Sequence, residues 1–337
     1  GQAFVHSDQP SLSPMKKLVR LLWSGVLLCA AGISHAAWPD KPITLVVPFP
    51  PGGGTDVVGR ILAQELGSRL GVSVVVENRP GAAGNIGSNH VAKSSPNGYT
   101  LLIGTTAQSI SAALYRRSRY DFVNDLEAIS TINDGPLVLI SRPGLKVSSV
   151  KDLIDLARSS PGKLSYATPG YGTSAHMAAE VLSLATGIRM LHVPYQGAAP
   201  VLTDLMGGQV DITFDLLTTA RSYVQEGKVN RIGVTTRERS PLVPDWQTLS
   251  EQGPESLRDF NETAWNVLMA PKGTPTAILQ KLNAQMKQIL SDDKVRQKFM
   301  DLGSLPLWKD MAGSRAFVID DVNKWRKIVH DAGIDKI

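Results

Sequence analysis

The sequence predicts an α/β fold of two lobes, each a mostly parallel sheet flanked by helices, with a cleft between the lobes. Two observations carry this prediction. Short apolar runs of strand length alternate with amphipathic segments of helix length, which is typical of parallel sheets covered by helices. In addition, two nearly identical glycine turns, PGGGT at 51–55 and PGYGT at 169–173, each follow an apolar run and open a helical segment.

Nine apolar runs are candidate strands, and the segments between them have helical periodicity. Asp56–Leu70 places its apolar side chains on one helical face, and Ser174–Ala185 and Pro200–Met206 are similar. From Pro275 to Ile337 the pattern is almost entirely helical, beginning with an apolar stripe. The stripe consists of Ile278, Leu282, Met286 and Ile289. The candidate strands are Ile43–Val47, Val72–Val76, Thr100–Ile103, Leu137–Ile140, Leu164–Ala167, Met190–Val193, Val210–Phe214, Arg231–Val234 and Trp265–Met269.

The two glycine turns belong to a longer repeated unit. After PGGGT come a helix, Gly71, a strand and Gly81, and after PGYGT come a helix, Gly187, a strand and Gly197. The spacing between the paired glycines is the same in both units. A strand, a glycine loop and a helix also occur in this order by chance in α/β proteins, but the matched spacing favours two lobes built on one plan.

The boundary between the lobes should lie between the two units. Asn133-Asp134-Gly135-Pro136 is a turn signal there, and a second crossing is expected near 261–271. We therefore predict a first lobe of residues 37–136 and 265–337 and a second lobe of residues 137–264. Two extended crossings between lobes permit hinge bending.

The first 36 residues are not expected to contribute to this fold. Residues 1–14 precede Met15 and are expected to be disordered or to lie before the natural start. Residues 15–36 contain a basic segment, an apolar segment and the small-x-small sequence Ser34-His35-Ala36, which together predict a secretory signal peptide cleaved before Ala37. The apolar segment is shorter than the ~20 residues needed to span a bilayer, which disfavours a membrane anchor. The chain is therefore predicted to be exported and not to span the membrane after cleavage.

Composition excludes several classes of function. The single cysteine, Cys29, lies in the predicted signal, which excludes thiol catalysis and thiolate metal sites in the mature chain. Removing residues 1–36 would remove three basic residues and one acidic residue and lower the formal net charge from +5 to +3. No basic cluster with interleaved aromatics occurs, so nucleic acid is not an expected partner. No metal-ligand spacing and no catalytic constellation is present, and we expect no metal, no cofactor and no enzymatic activity.

The first glycine turn has the features of an anion site. Glycines after a strand allow close approach of the backbone, and the helix that follows offers free N–H groups and a positive dipole end. Thr55 or Asp56 is a suitable N-cap. The sequence is neither a Walker loop nor a dinucleotide fingerprint, because Gly-Lys-Ser/Thr is missing and Val57 stands where a third glycine would be needed. A tight turn without a ligand is the alternative.

The second turn continues as PGYGTSAH. Ser174 could be read as a nucleophile, but an elbow requires a small residue where His176 stands. Thr173 and Ser174 are better suited to supply hydroxyls and amides to a carboxylate. His176 either closes over a ligand or is a satisfied histidine at the surface or between the lobes.

Three further side chains have two interpretations each. Tyr195, just past a strand, either lines the cleft or packs. Asp215, at another strand end, either receives a ligand amine or caps the next helix at Thr218. Arg79 either binds an anion or pairs with Glu77.

Five segments, in this order, together carry a family likeness. They are WPDKPITLVVPFPPGGGTD, ENRPGAAGNIG, NGYTLLIGTTA, YGTSAHMAAE and HVPYQGAAPVLTDLMGGQVDITFD. Over essentially the whole mature chain they resemble the Bug family of periplasmic solute receptors, the extracytoplasmic binding proteins of tripartite tricarboxylate transporters. The resemblance implies a two-lobe, type II-like binding-protein fold that closes on a small carboxylate, such as an amino acid, a dicarboxylate or tricarboxylate, or an aromatic acid.

The resemblance also implies a set of ligand-binding positions, which hold a carboxylate through backbone amides, hydroxyls and ordered water. None of them is Lys or Arg, which favours a ligand of modest charge. The predicted positions are Phe49, Pro50, Gly53, Thr55, Thr105, Thr106, Ala107, Gln108, Gly170, Gly172, Thr173, Ser174, His176, Tyr195, Gly197 and Asp215.

The expected function is that of a monomeric receptor that delivers its ligand to a membrane permease. A ligand sensor for a signalling partner is a close variant that the sequence does not separate from it. A secreted serine hydrolase using Ser174 and an interaction module with a degenerate cleft are the remaining alternatives.

Overall fold

The computed structural model describes Gly1 and residues 37–337. The predicted signal peptide at 15–36 lies outside these residues, as does the predicted extension at 1–14 apart from Gly1. Lys41–Ile337 form one compact unit. None of the helices in the described residues is both long and apolar enough to cross a membrane.

Ten strands and eleven α-helices make up this unit within the described residues. The strands are β1 Ile43–Val47, β2 Val74–Asn78, β3 Thr100–Thr105, β4 Leu126–Ser141, β5 Ser165–Thr168, β6 Leu191–Pro194, β7 Ile212–Leu216, β8 Asn230–Val234, β9 Thr263–Pro271 and β10 Leu305–Pro306. The helices are α1 Gly54–Leu70, α2 Asn85–Ala92, α3 Thr106–Leu114, α4 Val150–Ser159, α5 Ser174–Thr186, α6 Ala198–Met206, α7 Leu217–Gln225, α8 Leu249–Gln252, α9 Thr276–Ser291, α10 Asp293–Asp301 and α11 Met311–Asp331. Two 3-10 turns lie at Ala82–Gly84 and Glu255–Leu257.

The strands are joined edge to edge in the order β2-β1-β3-β9-β4-β7-β5-β6, with β8 and β10 both paired to β4. The strands that lead into helices are parallel to one another: β1 to β2 and β3, and β5 to β6 and β7. The long strand β4 runs antiparallel to its neighbours. The α/β prediction is confirmed, with antiparallel strands added at the centre.

Strand β4 divides the sheet into two halves. Its residues from Leu126 to Pro136 pair with β9, and its residues from Leu137 to Ser141 pair with β7 and β8. We call β1, β2, β3, β9, β10 and the first part of β4 the first sheet half, and the remaining strands the second sheet half. The change of partner falls at the predicted lobe boundary of 136/137, but the lobes as separate bodies stay a prediction, because Lys41–Ile337 form one unit.

The predicted turn at 133–136 is wrong. These residues lie inside β4 and pair with Asn266, Trp265, Ala264 and Thr263 of β9. Local turn propensity is overruled there by an antiparallel ladder between the two crossing segments. Gly135 serves close packing, since a Cβ on it would lie 3.2 Å from the Cβ of Ser304.

The repeated unit is confirmed in three dimensions. β1, α1 and β2 follow one another as β5, α5 and β6 do, and both strand pairs are parallel. Gly71 and Gly187 end the two helices in the left-handed region, at φ of 71° and 68°. Only glycine adopts this conformation without steric cost, which explains its recurrence at both positions.

The two sheet halves have separate apolar cores. Val46, Leu102 and Val267 of the first half pack with Val318 and Val322 of α11, so the C-terminal helix returns to the first half as predicted. The second half has its own clusters on both faces of the sheet, the larger of which packs against α4 and α5. A further cluster packs α3 and α11 of the first half against α5 of the second, so the apolar support of the second glycine loop is shared between the halves.

Candidate functional site

A cavity of about 400 Å³ lies between the two sheet halves. This volume lies within the range of small-molecule sites. Five helices have their first turns in its wall: α1 and α3 from the first half, and α5, α6 and α7 from the second. The wall residues at these helix starts are Gly54, Thr55, Thr106, Ala107, Ser174, Ala175, Ala198, Leu217, Thr218 and Thr219.

These helix starts give the cavity a positive electrostatic character without basic side chains. The first amides of a helix have no partner within the helix, and its dipole is positive at that end. Among the described residues of the wall there is no Lys, Arg or His, and Asp215 is the one charged side chain. The cavity can therefore hold a carboxylate by hydrogen bonds from amides and hydroxyls.

The first glycine loop is fixed by Asp56, whose side chain is 3% exposed. Its carboxylate accepts hydrogen bonds from the Gly52 amide at 2.9 Å, from Arg60 Nε at 2.9 Å and from Asn78 Nδ2 at 2.8 Å. Asn78 Nδ2 also donates to the carbonyl of Phe49 at 3.0 Å. Burial raises the pKa of Asp56, but the three donors outweigh burial and hold this pKa below its usual value. An ionised carboxylate thus ties both ends of the loop to the start of α1.

The second glycine loop is fixed by a neutral imidazole. Nδ1 of His176, a residue only 2% exposed, accepts a hydrogen bond from the Gly172 amide at 3.0 Å. Nδ1 therefore carries no proton, and Nε2 lies 3.5 Å from a carboxylate oxygen of Glu180. Thr173 completes the loop, because its hydroxyl caps the amide of His176 and donates to the carbonyl of Gly170.

The His176 ring belongs to a group of four rings, three of them stacked and Tyr171 tilted against them. The centroid of the His176 ring lies 4.3 Å from that of His192, at an interplanar angle of 6°, and 4.6 Å from that of Tyr171. His192 stacks in turn on Tyr166 at 4.8 Å. Burial lowers the pKa of His192 to about 4. The stack therefore holds two neutral imidazoles behind the second loop.

A third helix start faces the cavity at Thr105, the N-cap of α3. The Thr105 hydroxyl accepts from the amide of Ala107, and the Thr105 amide donates to the side chain of Gln108 at 2.9 Å. Gln108 also donates to Ser88 at 3.1 Å and faces away from the cavity. The Thr106 hydroxyl accepts from the amide of Trp265 at 2.9 Å, which ties α3 to the crossing strand β9.

Asp215 has a different environment from the other wall residues. It lies in β7 opposite Val138, it is 8% exposed, and its Oδ2 is buried without a hydrogen-bond partner. Burial raises the pKa of Asp215 to about 6, although a hydrogen bond from the amide of Leu216 opposes this.

Two asparagines on the crossing strands line the cavity and were not predicted. Asn266 Nδ2 donates to Asn133 Oδ1 at 2.7 Å, and Asn133 Nδ2 donates to the Ser304 hydroxyl at 3.0 Å. Asn133 was missed because the predicted turn at 133–136 placed it outside the strands. Read as extended crossings, Asn133 and Asn266 would have appeared opposite each other.

Of the sixteen predicted site residues, seven lie in the cavity wall and nine lie outside it. Among the residues outside the wall, Tyr195 donates a hydrogen bond from its hydroxyl to Asp204 at 2.5 Å. Those in the wall are Thr55, Thr105, Thr106, Ala107, Thr173, Ser174 and Asp215. Those outside it are Phe49, Pro50, Gly53, Gln108, Gly170, Gly172, His176, Tyr195 and Gly197.

These contacts bear on two questions that the sequence left open, namely the role of Arg79 and the reading of Ser174 as a nucleophile. Arg79 forms an ion pair with Glu77, as one of its two interpretations predicted. Both nitrogens of His176 are occupied by the Gly172 amide and Glu180, so this histidine is not placed to activate Ser174 as a base. Within residues 37–337, no group of three acidic, histidine or cysteine side chains could hold a metal ion.

A larger cavity of about 850 Å³ lies on the first sheet half beside α2 and α3. Tyr115, Tyr120 and Arg119 are among its wall residues, and the second half contributes none of the described ones. The smaller cavity is the better candidate site, because helix starts from both halves converge on it, whereas the described wall of the larger cavity has none from the second half.

Known proteins show the same fold. The profile of the tripartite tricarboxylate transporter family receptor matches residues 58–334. Protein BugT of Bordetella pertussis is 34% identical over 315 residues, which cover 92% of this chain and 96% of BugT.

Two solved structures are similar over nearly the whole chain. The structure of R. palustris Rpa4515 with adipate is 34% identical in sequence and has a TM-score of 0.79. The match covers 89% of this chain and 100% of the Rpa4515 chain. The structure of MatC from Rhodopseudomonas palustris with bound malate is 30% identical in sequence and has a TM-score of 0.74. The match covers 87% of this chain and 100% of the MatC chain.

Proposed function

The chain belongs to the receptor family of tripartite tricarboxylate transporters, whose members are periplasmic, and we propose that it captures a small carboxylate in the cavity between its two sheet halves. The observation that carries this proposal is the convergence of five helix starts on a cavity without a basic side chain in its described wall. The binding of adipate by Rpa4515 and of malate by MatC supports the same ligand class.

The binding site includes wall residues from both halves. Thr55, Thr105, Thr106 and Ala107 contribute from the first half, and Thr173, Ser174 and Asp215 from the second. The predicted residues behind the wall, such as Gly172 and His176, act by holding the loops in position. Asn133 and Asn266 join the set as polar groups on the crossing strands.

Ligand binding closes the two lobes. A ligand that touches both halves stabilises the closed arrangement by its greater affinity for that state. A micromolar affinity requires about 8 kcal/mol, which several hydrogen bonds and desolvation of the cavity supply. Residues 133–136 of β4 and their partners in β9 are the two crossings about which the lobes would rotate.

The receptor acts in the periplasm and delivers its ligand to the membrane component of a transporter. A role as a ligand sensor for a signalling partner uses the same closure and differs only in the partner. A hydrolase is disfavoured, because the relatives are binding receptors and both nitrogens of His176 are already bonded.

A ligand screen on stripped protein tests the proposal. The purified protein is unfolded in guanidinium and refolded, which removes bound ligand, and its thermal midpoint is measured with monocarboxylates, dicarboxylates, tricarboxylates, amino acids and aromatic acids. At least one class should raise the midpoint in proportion to the logarithm of its concentration. The amides of the same acids, which lack the carboxylate charge, are matched controls and should leave the midpoint unchanged. If no carboxylate raises it, the proposal is wrong.

A further inference from the structure

The two glycine loops differ in one residue. Where PGGGT of the first loop has Gly53, PGYGT of the second has Tyr171. Tyr171 does not line the cavity between the sheet halves, and 41% of it is exposed. Neither contact with a ligand in the cavity nor packing in a core therefore accounts for an aromatic residue at this position.

The Tyr171 hydroxyl bonds to a segment outside its own sheet half. It donates a hydrogen bond at 2.9 Å to the backbone carbonyl of Asp335, in residues 332–337 after α11, which we call the tail segment. The Tyr171 ring lies against His176, with centroids 4.6 Å apart, and His176 accepts from the Gly172 amide. Tyr171 thus connects the acceptor that fixes the second loop to the tail segment.

The tail segment is anchored to the first sheet half, at the end of α3. The amide of Ile337 donates to the carbonyl of Leu114 at 3.0 Å, and the amide of Arg116 donates to the carbonyl of Ile337 at 2.7 Å. Arg116 Nε donates to the carbonyl of Lys336 at 3.2 Å. These three hydrogen bonds fix the segment to the first half, and the hydrogen bond from Tyr171 joins it to the second.

Apolar contacts between the halves adjoin this hydrogen bond. Leu114 of α3 and Trp325 of α11 belong to one buried cluster with Met177 of α5. The second loop takes part in the contact, because a Cβ on Gly172 would lie 2.8 Å from Leu114 Cδ1. Since Leu114 does not line the cavity, the second loop contacts the opposite half outside the binding site as well.

Building on the proposed closure around a carboxylate, we propose that Tyr171 is a positioning residue, which holds the second loop to the tail segment and thereby slows release of the ligand. A hydrogen bond between the halves is made only while they are closed, so it stabilises the closed arrangement selectively. The net contribution of one hydrogen bond corresponds to about a two- to tenfold change in an equilibrium constant. Because the bond forms after the ligand has entered, its loss should act on the dissociation rate.

The competing interpretation is that Tyr171 only supports the ring of His176. Tyr171→Phe separates the two interpretations, because phenylalanine keeps the ring beside His176 and removes the hydroxyl that reaches Asp335. If support of the ring is the whole role, the variant should release its ligand as slowly as the wild type.

Stopped-flow measurement of tryptophan fluorescence gives both rate constants, since Trp265 lines the cavity. Adipate and malate are the probes, together with any other carboxylate found in the thermal screen. Tyr171→Phe should raise the dissociation rate constant about threefold or more and leave the association rate constant unchanged. Tyr120→Phe is the matched control, because its hydroxyl donates to Asn85 within the first half, at 2.7 Å, and it should change neither constant.

Deletion of residues 335–337 removes the acceptor of the same hydrogen bond. The shortened chain should also release its ligand faster, and adding Tyr171→Phe to it should have no further effect, because both changes remove one contact. An equal effect of Tyr171→Phe in the full and shortened chains would show that the hydroxyl does not act through the tail segment. Should the shortened chain not fold, Tyr171→Phe in the full chain decides.

The outcomes separate this proposal from the proposed function. If a carboxylate binds and Tyr171→Phe releases it at the wild-type rate, the role of Tyr171 is wrong while carboxylate binding stands. If the association rate constant falls instead, Tyr171 shapes the loop itself and the proposal is also wrong. If no carboxylate binds, the proposed function fails, and the role of Tyr171 in ligand release fails with it.

Discussion

The two glycine loops have nearly the same sequence and open equivalent helices, yet different chemistry holds them in place. The first is tied down by an ionised carboxylate, since Asp56 accepts from the Gly52 amide and is paired with Arg60. The second is tied down by a neutral ring, since His176 accepts from the Gly172 amide within a stack of aromatic rings. In both, the side chain that fixes the loop lies in the first turn of the helix that follows.

This difference shows that the backbone geometry is the common requirement. A helix start can bind a carboxylate only if its amides are held in place before the ligand arrives. Each half achieves this with one acceptor directed at a glycine amide. Because a carboxylate holds the first loop and an imidazole holds the second, the two loops should respond differently to mutation and to pH.

The largest effect is expected from Asp56→Ala. This change leaves the Gly52 amide and the Arg60 Nε without their acceptor and leaves Asn78 with only the Phe49 carbonyl, at a cost of about 3 kcal/mol in the free energy of unfolding. Urea unfolding measures it. Asp155→Ala is the control, because it removes an exposed ion pair with Lys151 and should cost below about 0.5 kcal/mol. Equal costs would show that Asp56 is not what holds the first loop.

The next effect is expected from Gly172→Ala in the second loop. Gly172 has φ of 77°, and a Cβ there would lie 2.8 Å from Leu114 Cδ1, so the cost should be about 2 kcal/mol. Gly53→Ala in the first loop is the matched control, because its φ is −77° and its Cβ would lie 3.9 Å from the nearest atom. It should cost below about 1 kcal/mol. Ligand affinity should fall at least fivefold in Gly172→Ala and should not fall in Gly53→Ala. A loss of affinity in both variants would contradict the difference between the two loops.

A smaller effect is expected from His176→Phe. Phenylalanine retains a ring for the stack but provides no acceptor for the Gly172 amide, at a cost of about 1 kcal/mol. Carboxylate affinity measured by isothermal titration should fall several-fold. Tyr195→Phe is the comparison, since it removes only a hydrogen bond to Asp204 behind the wall. If His176→Phe binds as tightly as the wild type, the imidazole does not position the loop.

The smallest effect is a difference in acid response. The pKa of His192 is lowered from 6.5 to about 4, so between these values the unfolded chain binds the additional proton and the second loop loses stability as the pH falls. The Asp56 pKa is lowered from 3.8, so the first loop loses stability only below that value. Between pH 7 and pH 4.5, the protection factor for amide hydrogen exchange, which corrects for the intrinsic base-catalysed rate, should fall at Gly172 before Gly52. The reverse order would contradict the assignment of Asp56 to the first loop and of the stacked histidines to the second.

The sequence predicted nine runs that overlap β1 to β9, the repeated unit and the glycine loops, because these depend on local periodicity and on glycine conformations. It missed β10 and the part of β4 before Leu137. It did not distinguish residues in the wall from residues behind it, since Thr173 and His176 belong to one helix start and only packing determines which of them faces the cavity. Asn133 was missed for a related reason. Its turn-forming neighbours are held extended by β9, from a segment more than a hundred residues away.

The central claim is that one ligand is held by both loops at once. A titration followed by the backbone amide resonances of isotope-labelled protein tests this claim most directly, using a carboxylate identified in the thermal screen. The amides of Thr55 and Ser174, at the two helix starts, should both shift and should reach half-saturation at the same ligand concentration. A shift at only one of the two, or two different half-saturation points, would contradict the account.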